Sequence, residues 1–351
     1  MDSITKWFRR QVANPQIVFL TFALLGLLLF ITYAGHMLAP VLASIVIAYL
    51  LEGIVKYLIR VKVPRLLSVA IVFVFFVMFL FVVMFALMPL LFNQSKELVQ
   101  NIPAMFGQGQ AVLLRLPELY PELFSEEQVN ELIVLIRNEL TGFGQHILTI
   151  SVTSVTSMIT VLIYVVLVPM LVFLFLKDKT KIQSWIRELL PKERQLADKV
   201  WAEVDISIGH YIRGKFWEIL IVWLVCFVTF TFFGLQWAAL LAVLVGLSVI
   251  IPYIGAAVVT IPVAMVAWFQ WGWTEPFFTV MIAYFIIQAL DGNLLVPLLF
   301  SEVVNIHPIA IIVAILFFGG LWGFWGVFFA IPLATLVQAV ISAWPVHASD
   351  R

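Results

Sequence analysis

The chain has 351 residues, of which 63% are hydrophobic and 11% are charged, with 20 basic and 20 acidic residues. Soluble domains carry roughly 25% charged residues, so the composition excludes an ordinary soluble fold and predicts a protein whose solvent is lipid. Balanced charge without a basic cluster predicts no nucleic-acid partner. The sequence has no metal-ligand spacing, nucleotide loop or hydrolase motif, so we expect no metal, no cofactor and no enzyme activity. The single cysteine, Cys226, excludes an intrachain disulfide and is expected to be a structural thiol that faces either lipid or the core.

Apolar stretches of the length needed to cross a bilayer, about 20 residues, recur along the chain. They predict an all-α, polytopic helical membrane protein with about eight spans, the first being a retained helix rather than a signal peptide. The expected spans are residues 17–34, 37–51, 66–91, 147–176, 216–233, 237–251, 254–271 and 276–290, followed by a broken region that continues to residue 344.

The distribution of basic residues orients the first half of the chain. The positive-inside rule puts the basic N-terminus and the basic loop that ends at Arg65 in the cytoplasm. Residues 92–149, with three basic residues against seven acids, are then outside, and residues 177–215, with nine against six, are inside. The expected divisions are N-terminal spans (1–91), an extracytoplasmic helical segment (92–149), a span (150–176), cytoplasmic amphipathic helices (177–215), a C-terminal transport core (216–344) and a cytoplasmic tail (345–351).

Both extramembrane segments have helical patterns. Ser125 begins a capping box, Ser-Glu-Glu-Gln, ahead of apolar residues at helical spacing that continue to Leu140 and Phe143. In the inner segment, apolar residues from Leu196 to Tyr211 recur every three or four positions. We expect that inner helix to lie in the membrane interface, and coupling between the two halves of the protein is the alternative.

The C-terminal part, Phe216 to Asp350, contains five acids and no Lys or Arg, and prolines and glycines interrupt its apolar stretches. The first interruption is 246–255. Pro252 removes a backbone donor and Gly255 permits unusual backbone angles. Carbonyls freed near 248–251, together with Ser248 and Tyr253, could bind a cation or a ligand. The alternative is a tight turn between two spans.

The second interruption, 288–297, places Gln288, Asp291 and Asn293 between apolar flanks and ends at Pro297. Gln288 and Asp291 are one helical turn apart and therefore share a face. Gly292 is expected to let the chain leave the helix there. A carboxylate at this depth is a candidate for binding a proton, a cation or a hydroxyl-bearing solute, and the alternative is a helix cap at the membrane boundary.

The third interruption is rich in glycine. The apolar run from Ile309 to Phe318 is too short to cross a membrane, and with residues 321–340 it predicts a re-entrant hairpin whose glycines let two helices approach closely. Tight packing without a transport role is the alternative. The glycines and the neighbouring prolines that we expect to break or bend helices here are Gly319, Gly320, Gly323, Gly326, Pro308 and Pro332.

Together these motifs resemble the autoinducer-2 exporter family of membrane transporters, and within it the PerM-type permeases. The resemblance is carried by 251–255 (Ile-Pro-Tyr-Ile-Gly), 288–297 (Gln-x2-Asp-Gly-Asn-x3-Pro), His307-Pro308 and 323–332 (Gly-Phe-Trp-Gly-x4-Ile-Pro). It implies a multi-pass protein of the bacterial inner membrane that assembles as a homo-oligomer, such as a pentamer. It also implies either export of the signal autoinducer-2 or sodium–proton exchange.

Three functions follow as hypotheses. The first is a secondary transporter that exports a small polar organic solute of the autoinducer-2 type, bound by Gln288, Asp291 and Asn293. The second is a sodium–proton antiporter that uses Asp291, and the further acidic candidates are Glu218, Glu275 and Glu302. Of these, Glu218 is expected to pair with Lys215 at the interface and Glu275 to lie at a membrane boundary. The third is a non-transporting scaffold that recruits partners through residues 92–149, and all three versions contact membrane lipids.

Overall fold

The structure is a computed structural model and describes residues 15–34, 37–119, 121–122, 125–137, 154–191, 194–252, 254–300 and 306–343. These residues form helices and short connections, with no strand among them, which confirms the all-α prediction. Six of the described helices are long and apolar enough to cross a membrane.

The helices are α1 (Pro15–Ala34), α2 (Ala39–Arg60), α3 (Arg65–Val82), α4 (Met88–Leu113), α5 (Leu116–Leu119), α6 (126–137), α7 (Ser154–Lys177), α8 (Lys179–Leu189), α9 (Gln195–Phe232), α10 (Ala238–Ser248), α11 (Ile254–Trp271), α12 (Glu275–Leu290), α13 (Val296–Phe300), α14 (Pro308–Phe328) and α15 (Ala330–Ala343).

Helix α9 is the axis of the molecule. It has 38 residues and is therefore about 57 Å long at the usual rise of 1.5 Å per residue. It contacts α1, α2, α10, α12, α13 and α15. The location of its first half in the membrane interface stays a prediction, and the structure shows that other helices of the chain cover one apolar face of this half. Val200 and Val204 are buried against Leu20 of α1 and Ala339 of α15, because helices distant in sequence cover that face.

Helices α10 and α11 form a hairpin that enters from the Phe232 end of α9. The Gln270 side chain joins the outer ends of the hairpin, donating to the Gly234 carbonyl at 2.8 Å and accepting from the Gln236 amide at 2.8 Å. At the tip, a Cβ on Gly255 would lie 1.7 Å from the Ser248 carbonyl oxygen. Only glycine allows this approach, so the predicted break around Pro252 and Gly255 is confirmed as a tight tip.

Helices α14 and α15 form a second hairpin, which enters from the opposite end of α9. Gly323, with φ +59° and ψ −136°, breaks α14, and a Cβ on Gly326 would lie 1.8 Å from the Phe318 carbonyl oxygen. The close approach of the arms is as predicted. The first arm, however, stays helical through Gly319 and Gly320 and continues to residue 322, so its expected end at Phe318 is wrong.

The tips of the two hairpins meet near the middle of α9. The ring of Phe328, from the α14–α15 hairpin, lies 6.0 Å from the ring of Tyr211. The tip of the α10–α11 hairpin contacts Lys215, one turn or about 6 Å further along the helix. Ile251 of that tip also packs in the same cluster as Tyr211. The fold thus brings two chain reversals to one level of the axial helix.

A π-helical turn at Asp291–Leu295 joins α12 to α13. The prediction that the chain leaves the helix at Gly292 is therefore wrong. A proline ring clashes with the carbonyl four residues earlier, and the wider π turn just before Pro297 relieves that clash. The same arrangement occurs at Val83–Leu87, where a π turn precedes Pro89 and joins α3 to α4.

The segment after α4 contains the predicted capping box. The Ser125 hydroxyl accepts from the Gln128 amide at 3.2 Å, and the Gln128 side chain accepts from the Ser125 amide at 3.2 Å. Val129 and Ile133 of α6 are buried, as an amphipathic helix requires. Leu140 and Phe143 lie outside the described residues.

Candidate functional site

A buried ion pair lies at the level where the hairpin tips meet. Lys215 Nζ is 2.6 Å from Glu218 Oε2, and the two residues are only 3% and 2% exposed. Because they are three residues apart on α9, they share one face of the helix. The predicted pairing is confirmed, and the pair is buried because α10, α12 and α13 pack against α9. Its expected location at the membrane interface stays a prediction.

The Lys215 ammonium also joins α9 to two other elements. It donates to the Val249 carbonyl at the tip of the α10–α11 hairpin at 2.8 Å and lies 5.1 Å from the centre of the Phe300 ring on α13. The sequence predicted a freed carbonyl at this tip that could bind a cation. In the structure, the cation at the Val249 carbonyl is the ammonium group of Lys215.

Asp291 and Gln288 are half-buried beside this pair. Asp291 Oδ1 and Gln288 Nε2 are inaccessible to solvent, and neither atom has a hydrogen-bond partner within 3.5 Å among the described residues. The Gln288 side chain does lie close to the Tyr284 hydroxyl, one helical turn earlier. Asp291 is near enough to Lys215 and Glu218 to interact with both electrostatically. A buried polar atom without a partner costs about 1–3 kcal/mol, so a ligand that forms hydrogen bonds with these two atoms would recover part of that free energy.

The charges of this cluster are unequal. Lys215 provides one positive charge for the two carboxyl groups of Glu218 and Asp291. No Lys or Arg follows Lys215 before residue 351. Charge in an apolar interior is costly unless it is paired, so the cluster favours uptake of a proton or a ligand that donates hydrogen bonds to Asp291.

Two other predicted ligands bond to their own helices. The Asn293 side chain is exposed and donates to the Ala289 carbonyl at 2.8 Å. The Ser248 hydroxyl donates to the Val245 carbonyl at 2.7 Å. Neither residue contributes an unpaired polar atom to the cluster, and Tyr253 lies outside the described residues.

The other acidic candidates are not part of this cluster. Glu275 is exposed in the first turn of α12, about 24 Å from Asp291 along the helix axis, where a negative charge is favourable for the helix dipole. Glu302 lies outside the described residues. Within the described ranges, no group of three or more His, Cys, Asp or Glu side chains could hold a metal ion.

The remaining predicted break points have structural roles. Pro308 begins α14, with the His307 side chain accepting from the Ile309 amide, and Pro332 lies in the first turn of α15, where a missing donor costs little. Cys226 is fully buried in the core around α9–α12, which is the second of its two expected placements. A cavity of about 850 Å³ between α14 and α15 is mostly apolar and does not include Gln288 or Asp291.

Sequence reasoning missed Lys215 as a site residue. The signal was present, because Lys215 is the last basic residue before 135 residues that contain none. Its partner Val249 lies 34 positions further along the chain, and no local pattern indicates that contact.

Comparison with known proteins gives one consistent result. The sequence profile of the family described as AI-2E family transporter matches residues 17–346. PerM of Escherichia coli strain K12, which is named as a permease, is 44% identical over 345 residues, which cover 98% of both chains. YueF of Bacillus subtilis strain 168, named as a transport protein, is 26% identical over 88% of this chain and 85% of its own. The protein named AI-2 transport protein TqsA, from Escherichia coli strain K12, is 22% identical over 93% of this chain and 91% of its own.

Proposed function

This chain belongs to the AI-2E transporter family, and from that premise we propose that it is a secondary transporter that exports a small polar organic solute of the autoinducer-2 type. The proposed binding groups are Asp291 and Gln288, beside the Lys215–Glu218 pair. We also propose that it works in the bacterial inner membrane as a homo-oligomer with a cytoplasmic N-terminus. The charge pattern of residues 1–215 supports that orientation.

One observation supports the choice of cargo: Asp291 Oδ1 is buried and unpaired among the described residues, and Gln288 Nε2 is buried one helical turn away, where only the Tyr284 hydroxyl lies close to it among those residues. One atom accepts hydrogen bonds and the other donates them. A hydroxyl group can do both, so a small hydroxyl-bearing solute satisfies both atoms. Sodium requires several oxygen ligands and gains nothing from an amide N–H. The nearby ammonium of Lys215 disfavours it further.

The charge imbalance supports proton coupling. With two carboxyl groups and one ammonium in the cluster, a proton bound at Asp291 balances the charges, and its release restores an acceptor for the solute. Export would then be driven by proton entry. This coupling requires no group beyond those of the chain.

The test is transport in proteoliposomes that contain autoinducer-2, with a proton gradient imposed across the membrane. We expect wild type to release the solute faster than empty liposomes do. Asp291→Asn should lose about tenfold or more of that rate, because a hydrogen bond to a charged group contributes about 1.5–3 kcal/mol. Glu275→Gln is the matched control, since it removes an exposed carboxylate from the first turn of α12, the helix that leads into Asp291, and it should transport normally.

Two results would overturn the proposal. A sodium-driven pH change in liposomes without solute, abolished by Asp291→Asn, would establish the antiporter instead. Wild-type rates in both Asp291→Asn and Gln288→Leu would remove the site and favour the scaffold function.

A further inference from the structure

Helix α8 presents an apolar face that nothing in the described chain covers. Trp185, Ile186 and Leu189 are 62%, 45% and 66% exposed, and no residue of α8 is buried. With Ile182 they occupy positions i, i+3, i+4 and i+7, which is one side of a helix. Such a face is unfavourable in water, so it favours an apolar partner beyond the described residues.

The helix is nevertheless held at both ends. At its start, Lys179 Nζ lies 3.0 Å from Glu52 Oε1 of α2. Near its end, the Arg194 guanidinium donates to the Arg187 carbonyl at 3.0 Å. Arg65, at the start of α3, also lies 3.6 Å from Glu52 and donates to the Leu176 carbonyl at the end of α7. The apolar face is therefore fixed where three membrane helices end.

Positive charge surrounds this face. Residues 56–65 contain four basic residues and no acid, and residues 177–189 contain four basic residues and two acids. Most of the basic side chains are exposed, namely those of Lys56, Arg60, Lys62, Lys177, Lys181 and Arg187. An apolar face that includes tryptophan, bordered by Lys and Arg at the ends of membrane helices, complements an anionic leaflet.

We propose that α8 is an interfacial helix that binds anionic phospholipid. Its apolar face enters the boundary between headgroups and acyl chains, and the basic residues from 56–65 and 177–189 contact lipid phosphates. The membrane is the occupant because it satisfies both the apolar face and the adjacent positive charge. This inference does not depend on the proposed cargo or coupling.

Spin labels test the position of the helix. In a Cys226→Ala background, Trp185→Cys and Gln183→Cys place labels on opposite faces of α8. In nanodiscs of phosphatidylcholine and phosphatidylglycerol, the label at 185 should be accessible to oxygen and shielded from a water-soluble nickel reagent. The label at 183 should show the reverse. Labels at both positions in water would overturn the proposal, as would a label at 185 that is shielded from both reagents or broadened by a second copy.

Charge variants test the lipid headgroup. The double variant Lys56→Gln/Lys181→Gln should weaken binding of phosphatidylglycerol about 30-fold. Each basic residue near an anionic surface contributes its own factor to the binding affinity, and the two factors multiply. The control, Lys96→Gln/Arg115→Gln, removes two exposed cations from α4 and the turn that follows it, and should leave the affinity unchanged. Equal losses in both double variants, or equal binding of phosphatidylcholine and phosphatidylglycerol by wild type, would contradict the proposal.

Discussion

The two halves of the molecule each bury a small cluster of charges, and the clusters are opposite in balance. In the N-terminal half, Glu52 is 6% exposed and pairs with Lys179 and Arg65, whose side chains are 30% and 36% exposed. In the C-terminal half, the buried ammonium of Lys215 pairs with Glu218 and interacts electrostatically with the carboxyl group of Asp291.

We interpret the Glu52 cluster as a clamp, which holds helices together, and the Lys215 cluster as a working site, which binds a proton or a solute. Both clusters contain buried atoms without a hydrogen-bond partner among the described residues, and in the first these are Glu52 Oε2 and Arg65 Nε. The cluster at Glu52 has an excess of positive charge on partly exposed side chains, which water and lipid phosphates can solvate, so it holds α2, α3 and α8 together without needing a ligand. The cluster at Lys215 has an excess of negative charge in an apolar interior, and a bound proton or solute would stabilise it. Acidic and basic side chains thus have different roles in the two clusters, because the clusters differ in their ratio of basic to acidic groups and in how deeply those groups are buried.

The largest expected effect is that of Lys215→Met. It leaves Glu218 as an uncompensated buried charge and the Val249 carbonyl without its donor, which costs about 3–5 kcal/mol. We expect little folded protein, measured by fluorescence-detected size exclusion and thermal unfolding. The double variant Lys215→Met/Glu218→Leu replaces the pair by apolar side chains and should recover stability but not transport. A stable single variant would mean that the pair has no role in holding the hairpin tip.

The second effect concerns the α14–α15 hairpin, whose tip contacts Tyr211 of α9. Gly326→Ala would place a Cβ 1.8 Å from the Phe318 carbonyl oxygen, and relieving such a contact costs about 1–3 kcal/mol. Gly320→Ala is the matched control, because no atom outside its own turn lies within 4 Å of its added Cβ. Thermal unfolding should show a lower Tm for the first and an unchanged or higher Tm for the second. Equal values would contradict the close packing of the arms.

A smaller effect is expected for Glu52→Gln. It removes the charge shared by Lys179 and Arg65, but both cations are partly exposed and can be solvated, so about 1–2 kcal/mol is lost. The Tm should fall and should become less sensitive to salt. A loss as large as that of Lys215→Met would mean that the two clusters do not differ in the way described.

The smallest effect is expected for Ser125→Ala, which shows how much stability an ordinary contact outside both clusters contributes. It removes the acceptor for the Gln128 amide, and a lost helix cap costs about 1 kcal/mol or less at an exposed site. Hydrogen exchange in residues 126–137 should accelerate, while exchange in α9 stays the same. Acceleration in α9 would show that this segment is coupled to the axial helix.

Much of the architecture could be predicted because its signals are local. Pro252 with Gly255, and Gly323 with Gly326, mark the two hairpin tips in the sequence, and Ser125 marks the capping box. Gln288 and Asp291 could be assigned to one face because they are one turn apart.

What could not be predicted depends on contacts between distant segments. The sequence predicts the apolar face of the first half of α9, but not that α1 and α15 cover Val200 and Val204 on that face. The role of Lys215 depends on Val249 and Phe300, which reach it only in the folded chain. The π turn at Asp291 is an intermediate case, since Pro297 gives its cause, but the sequence does not distinguish a widened turn from a break.

The most direct test of the comparison measures Tm and solute efflux together for Asp291→Asn and Glu52→Gln, each normalised to folded protein. Asp291→Asn should keep the wild-type Tm, because it breaks no hydrogen bond of Oδ1, and should lose transport. Glu52→Gln should have a lower Tm and transport at the wild-type rate per folded molecule. Wild-type efflux by Asp291→Asn, or transport lost from folded Glu52→Gln protein, would contradict the division into a working site and a clamp.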